Sequence, residues 1–148
     1  LIYAVEHNEK QATQGGFVKA CKKQAYIRIG IDTNNSILTK NLKQIVRHEI
    51  IHYCLWLLDL PHNDDDLEFW CLCYAFSGGA YEPLPTEKQA YYELFKQLYA
   101  SQVDSLQWNV KHLIIGQMIT AISRTPIEEY AKYVEELIVK FKQLYGVE

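Results

Sequence analysis

The sequence predicts an α+β fold in which a small antiparallel sheet packs on one long helix and a segment of three helices follows. Strand-like apolar runs occupy the first 31 positions, and a broadly apolar stretch without Gly or Pro covers residues 39–60. Amphipathic patterns of helical period fill the chain after residue 85. Because 148 residues with 49% hydrophobic content can bury a core, we divide the chain into a core over residues 1–84 and an appended helical bundle over residues 85–148.

The predicted sheet consists of three short strands over residues 1–6, 17–21 and 25–31. In the third strand Ile27, Ile29 and Ile31 alternate with Tyr, Arg and Gly, which is typical of a strand with one apolar face. The order of elements is therefore a sheet followed by the long helix.

The long helix carries the motif His-Glu-x-x-His at residues 48–52. Side chains four positions apart lie on the same face of a helix, so His48 and His52 can present two imidazole nitrogens to one metal ion. Two imidazoles suit Zn2+, and Glu49 beside them can accept the proton of a water molecule that the metal holds. The motif therefore predicts a zinc centre with Glu49 as its catalytic acid and base.

The residues around the motif predict that this helix is buried. Thr39 or Asn41 can cap its start, and Pro61 marks its end. Apolar side chains lie on most sides between them: Leu42, Ile45, Val46, Ile50, Ile51, Leu55, Leu57 and Leu58. Burying two imidazoles and a carboxylate is costly without a compensating ligand, which favours a metal site over hydrogen-bonded helix residues with no metal.

A catalytic zinc site needs a third protein ligand and a fourth position left for water. His62 is the first candidate, because Pro61 turns the chain and the step from His52 to His62 leaves room to fold back. Glu68 is the second candidate, on a helix predicted over residues 64–76 that can pack on the long helix.

Asp64, Asp65 and Asp66 form the third group of candidates for the metal. Acidic residues in the first turn of a helix are stabilised by its dipole, and Asn63 can cap that helix. These aspartates therefore have a second interpretation as residues of a helix start that bind no metal.

The charges of the chain, which total −3, are unevenly distributed. Residues 1–47 have a balance of +5, residues 48–85 contain seven acids and no Lys or Arg, and residues 86–148 have a balance of −1. The acidic surroundings of the motif favour a bound cation and a basic protein or peptide substrate, and argue against a phosphate backbone there. The N-terminal cations have two interpretations: they contact nucleic acid, or they lie on a solvated surface of the sheet. They are Lys19, Lys22, Lys23 and Arg28.

The cysteines and the hydropathy of the chain bear on its location. Cys21, Cys54, Cys71 and Cys73 include no Cys-x-x-Cys pair and are interpreted as core thiols of a reducing compartment. No apolar run reaches the length of a membrane span, and no signal segment opens the chain. We therefore expect a cytoplasmic protein without a membrane partner.

Three helices are predicted in the C-terminal segment. Capping-box patterns begin the first at Thr86 and the third at Thr125, and Asp104 or Ser105 can begin the second. Gly146 is expected to end the last helix. Their apolar faces predict a bundle.

The motif helix and the segment that follows it resemble the core of the SprT-like zinc metallopeptidases, a zincin family. The resemblance lies in Arg47-His48-Glu49-Ile50-Ile51-His52-Tyr53, in His62, in the acidic run before Glu68-Phe69-Trp70 and in Gly78-Gly79. It covers about residues 15–82, and the short strands ahead of the helix are similar too.

The resemblance implies that His48, His52 and His62 bind Zn2+ and that Glu49 is the catalytic acid and base. It also implies a cleft closed by the strand around residues 27–31, and in zinc peptidases the edge strand of such a sheet can pair with a substrate peptide. The family includes enzymes that act on proteins bound or crosslinked to DNA. The chain lacks the zinc ribbon, with two Cys-x-x-Cys pairs, that many members carry.

Two functions follow from these patterns. The first is zinc-dependent hydrolysis of peptide bonds, with Glu49 as general base on a water molecule at the metal. Tyr53 and Tyr81 are candidates for a second donor to the oxyanion. The alternative is a non-enzymatic zinc-binding interaction or inhibitor protein that acts through its helical part. An open fourth position on the metal favours the enzyme, and a closed set of four protein ligands favours the alternative.

Overall fold

Leu42 begins a series of helices that continues to Tyr145. A computed structural model of the protein describes residues 2–6, 15–19, 25–31 and 42–146. The helices are α1 (Leu42–Leu57), α2 (Leu67–Phe76), α3 (Thr86–Leu98), α4 (Trp108–Ile122) and α5 (Ile127–Tyr145). A π-helical turn, Tyr99–Val103, continues directly from α3. Residues 42–146 are 74% helical and contain no strand.

The predicted α+β fold with a small antiparallel sheet is wrong. The architecture is helical, and the three short strands before it, β1 (Ile2–Glu6), β2 (Gly15–Lys19) and β3 (Ala25–Ile31), do not pair as an antiparallel sheet. Their order is β1-β3-β2, with β1 parallel to β3 and β2 antiparallel to it. The alternation of apolar residues indicates which face of a strand is buried, but it does not determine the neighbour or the direction of pairing.

The middle strand of this set is β3, so both of its edges are already paired. A substrate peptide therefore has no free edge to join around residues 27–31. The backbones of β2 and β3 lie beside α1. Several residues singled out in the sequence lie outside the described part of the chain, or have only their backbone described: Lys19, Cys21, Lys22, Lys23, Arg28, Thr39 and Asn41.

A left-handed turn ends α1 and returns the chain toward the motif. Asp59 has a φ of 55°, in a region that Asp and Asn adopt more readily than most other residues. The Leu60 N–H donates to the Leu55 carbonyl at 3.0 Å, which satisfies one of the last carbonyls of the helix. The helix thus ends before Pro61, and the residues that follow lie against His52.

The central helix of the array is α2. It contacts α1, α3 and α4, while α5 packs on α3 and α4. One apolar cluster runs through all five helices, with Phe69, Phe95 and Tyr130 fully buried in it. This cluster joins the two parts into which we divided the sequence, and the boundary at residue 85 stays a prediction. Among the described residues, no helix combines the length and the apolar character that crossing a membrane requires.

The helix ends agree with the sequence patterns in part. The start of α2 is at Leu67, with Asp66 as its N-cap, instead of at residue 64. The start of α3 is at Thr86, but Pro85 is its N-cap and no side chain caps it, so the predicted capping box does not form. Gly146 ends α5 with a φ of 63°, as predicted.

The cysteines of the described residues should differ in reactivity. Cys54 is exposed on α1, whereas Cys71 and Cys73 are buried in α2. Burial, together with the charge of Asp64, raises the pKa of Cys73 to about 12, and the thiolate is the reactive form. Near neutral pH an alkylating reagent should label Cys54 first and leave the two α2 cysteines unlabelled until the protein is unfolded. Peptide mass spectrometry measures this, and native labelling of Cys71 as fast as Cys54 would contradict the packing of α2.

Candidate metal centre

The two histidines of the motif lie one turn apart on the buried face of α1, and each is 8% exposed. Nδ1 of His48 lies 2.5 Å from the Gly79 carbonyl oxygen, and Nδ1 of His52 lies 2.5 Å from the His62 carbonyl oxygen. A carbonyl oxygen only accepts hydrogen bonds, so each Nδ1 carries a hydrogen and donates it. In each neutral imidazole Nε2 is therefore a bare acceptor, available to a metal.

These two nitrogens meet a carboxylate oxygen from the loop before α2. Nε2 of His48 and Nε2 of His52 are 3.1 Å apart, and Oδ1 of Asp64 lies 3.1 Å from the first and 3.0 Å from the second. Ligand atoms around a tetrahedral zinc ion, with bonds near 2.0–2.1 Å, are separated by about 3.3 Å. The three acceptors form a triangle of nearly that size, which we call the acceptor triangle.

The acceptor triangle suits a metal ion better than it suits a single proton. A single proton can be shared between two of the three atoms. The third atom then faces two other acceptors with no hydrogen to bond. Burial lowers the pKa of His52, which favours the neutral imidazole that a metal requires. A metal ion satisfies all three atoms together, and two imidazoles with one carboxylate are a set that zinc accepts. The residues present therefore fit zinc.

Glu49 lies beside the acceptor triangle. Its Oε1 is 3.8 Å from Nε2 of His48, and one ligand atom from each of His48, Glu49 and His52 lies within 4.8 Å of the others. Burial, and then the charge of Asp64, raise the pKa of Glu49 to about 7. A carboxyl group with a pKa near neutrality can take up a proton and release it again in the same reaction, as a general base and acid must.

The Asp64 carboxylate contacts both imidazoles, whereas His62 contacts His52 through its main chain. Nδ1 of the His62 ring donates to the Leu60 carbonyl at 3.0 Å, and the main-chain carbonyl of His62 orients His52. The His62 ring stays a predicted ligand. Asp64, a residue from the group that the sequence left as a third choice, is a second candidate because of its position between the two Nε2 atoms.

Glu68 and the neighbouring aspartates have other partners. Glu68 is 3% exposed, and its Oε1 accepts a hydrogen bond from the Ser123 hydroxyl at the end of α4. Asp66 accepts one from the Asn63 N–H at 2.8 Å. Asp65 is exposed. Among the carboxylates considered from the sequence, Asp64 is thus the one whose described contacts join both histidines.

Aromatic rings enclose the two imidazoles. Phe69 stacks on His52, with ring centroids 4.0 Å apart and an interplanar angle of 12°, and it meets His48 edge-on at 4.8 Å. The Tyr81 ring lies 5.3 Å from the His48 ring, whereas Tyr53 packs on a tryptophan of α1. The sequence alone predicts no such contact for Phe69, because nothing in its spacing from the motif indicates that it covers both histidines.

The Gly78-Gly79 pair lets the chain pass close to α1 and Tyr81. A Cβ atom at Gly78 would lie 2.8 Å from Cδ1 of Ile51, and a Cβ atom at Gly79 would overlap the Tyr81 phenol. A larger residue at either position would have to displace the Ile51 or Tyr81 side chain, whereas glycine lets the Gly79 carbonyl reach His48 with both in place.

Replacing Asp64 should release the metal. Asp64→Asn removes the charged oxygen that meets both imidazoles, so zinc affinity should fall at least about 100-fold. Asp65→Asn makes the same chemical change one residue away, and His62→Ala keeps the main-chain carbonyl that orients His52, so both variants should hold zinc like the wild type. Zinc per chain and competition with a chelator measure this. Loss of zinc from His62→Ala, with zinc retained by Asp64→Asn, would restore the three-histidine site.

No protein-family model, no curated protein and no solved structure matches this chain. The resemblance to SprT-like metallopeptidases therefore stays a prediction.

Proposed function

We propose that this protein is a zinc-dependent peptidase that hydrolyses peptide bonds, with Glu49 as its general base. The observation that carries the proposal is the acceptor triangle of His48, His52 and Asp64, with the Glu49 carboxylate 3.8 Å from one of its nitrogens. Each imidazole already donates its Nδ1 hydrogen to a main-chain carbonyl, so Glu49 is not needed to orient either histidine. A hydrolytic site needs a carboxyl group at that position.

The side chains divide the work as follows. When bound, zinc supplies a Lewis acid that polarises the scissile carbonyl and makes a water molecule more acidic. Glu49 removes a proton from the attacking water and returns it to the amine that leaves, so that the carboxylate is regenerated in each turnover. The carbonyls of Gly79 and His62 keep the two imidazoles in one tautomer throughout.

Exposure of the third ligand supports an enzyme over a closed structural site. The side chain of Asp64 is 48% exposed, whereas those of His48 and His52 are 10% and 11% exposed. Solvent and substrate can thus approach the ligand set from the side of Asp64. A structural zinc site encloses its metal with four protein ligands. Three ligand atoms lie 3.0–3.1 Å apart here, and the Glu49 oxygen is farther away, 3.8 Å from Nε2 of His48.

Tyr81 is the better of the two tyrosine candidates for the oxyanion. Its ring lies beside His48, and the residue is 62% exposed at the edge of the site. Burial of the hydroxyl, with the charges of Cys73 and Glu49, raises the pKa of Tyr81. The phenol therefore keeps its hydrogen at neutral pH and can donate it to a negatively charged oxygen.

The proposed substrate is a protein or peptide, and the proposed location is the cytoplasm. The acids of residues 48–85 favour basic segments of a substrate. The free thiols of Cys54, Cys71 and Cys73 support a reducing compartment. Nucleic acid has no role in this proposal.

Glu49→Gln should bind zinc and lose activity. The amide keeps the shape of the carboxylate and cannot accept the proton, so hydrolysis should fall by about 100- to 10,000-fold. Cleavage of an unfolded, dye-quenched protein is measured beside zinc content, with Glu82→Gln, an exposed acid, as the control.

Three results are informative here. Full activity in Glu49→Gln contradicts the assigned role. Loss of activity together with loss of zinc shows that Glu49 supports the metal instead of the reaction. A wild-type protein that holds zinc and cleaves no substrate favours the non-enzymatic interaction protein.

A further inference from the structure

Side chains of two helices contact the loop that carries Asp64. Nε1 of Trp70, in α2, donates a hydrogen bond to the main-chain carbonyl of Asp64 at 2.8 Å. Nζ of Lys88, in α3, donates to the Asp65 carbonyl at 3.0 Å and lies 3.5 Å from the Asp66 carboxylate. The main chain at Asp64 and just after it is therefore held by side chains that do not themselves bind the metal.

We infer that Trp70 and Lys88 are positioning residues for the metal, acting through Asp64. The inference rests on the proposed function, because it concerns the same zinc site. It gives α3 a part in building the metal centre. From the sequence, α3 is the first helix of the appended bundle.

Charge explains why a lysine is needed at this point. Three aspartates follow one another at residues 64–66, and residues 48–85 contain no Lys or Arg. Lys88 is the first cation after this acidic region, and it reaches back to the loop. Its ammonium group offsets the repulsion that otherwise drives Asp64, Asp65 and Asp66 apart.

Packing explains why an indole is needed. The Trp70 ring meets Tyr92 of α3 edge-on, with centroids 5.5 Å apart and an interplanar angle of 86°. This contact fixes the direction of the indole N–H, so the Asp64 carbonyl is held in one place before metal arrives. Because less freedom remains to be lost on binding, the metal should bind more tightly.

Trp70→Phe tests the tie from α2. The variant keeps an aromatic ring and removes the N–H, so zinc affinity should fall by about 10- to 100-fold. Trp108→Phe is the matched control, because Trp108 is 65% exposed and its ring packs on Phe76 and His112. Affinity is measured by chelator competition on folded protein, together with the visible absorption of the cobalt-substituted site, which reports the geometry of the ligands.

Lys88→Met tests the tie from α3. The variant keeps most of the aliphatic stem and removes the ammonium group, so zinc affinity should fall by about 3- to 10-fold, and the loss should shrink as salt is raised. Lys111→Met is the matched control. Lys111 also donates to a main-chain carbonyl and to a carboxylate, both of Asp104 and both at 2.9 Å.

The outcomes separate this inference from the proposed function. If the wild type and both controls bind zinc alike, and Trp70→Phe and Lys88→Met bind it more weakly with an altered cobalt spectrum, the inference holds. If these two variants lose only thermal stability of the metal-free protein and keep the zinc affinity of the wild type, the inference fails and the proposed zinc site stands. If the wild type binds no zinc, both fail together.

Discussion

Three buried or half-buried acceptors converge on one point in this protein, and the surrounding structure serves to keep them there. Nε2 of His48, Nε2 of His52 and Oδ1 of Asp64 lie 3.0–3.1 Å from one another. Their mutual repulsion is unfavourable without a cation. Such an arrangement persists only if the fold fixes each group from behind, and two main-chain carbonyls and the Trp70 indole do so.

Consecutive residues at the start of α2 connect this site to the rest of the molecule. Glu68 accepts a hydrogen bond from Ser123 and joins α2 to α4. Phe69 covers both imidazoles, and Trp70 points to the Asp64 carbonyl and to α3. Because successive residues on a helix point about 100° apart, three neighbours can reach three different parts of the fold. The same helix therefore supports both the candidate metal centre and the apolar core.

The sequence predicted the helices better than the pairing of the strands. Apolar periodicity identified α1 and the three C-terminal helices, because burial of one face is a local property of the pattern. The sequence gives Asp64 a second interpretation, inside the first turn of a helix, where the helix dipole explains it without a metal. The structure starts α2 at Leu67 instead, and the contact from Trp70 that holds Asp64 outside the helix is tertiary. The direction of β1 could likewise not be predicted from the sequence, because it depends on pairing with β3, which is distant in the chain.

The central claim is that His48, His52 and Asp64 bind one metal ion, and anomalous scattering from crystals of the zinc-loaded protein tests it most directly. The account predicts a single peak within about 2.0–2.2 Å of both Nε2 atoms and of the Asp64 carboxylate. Glu49 should then lie near the metal without binding it. A peak held by the His62 ring or by Glu68, or crystals without a peak after zinc is supplied, would contradict the account.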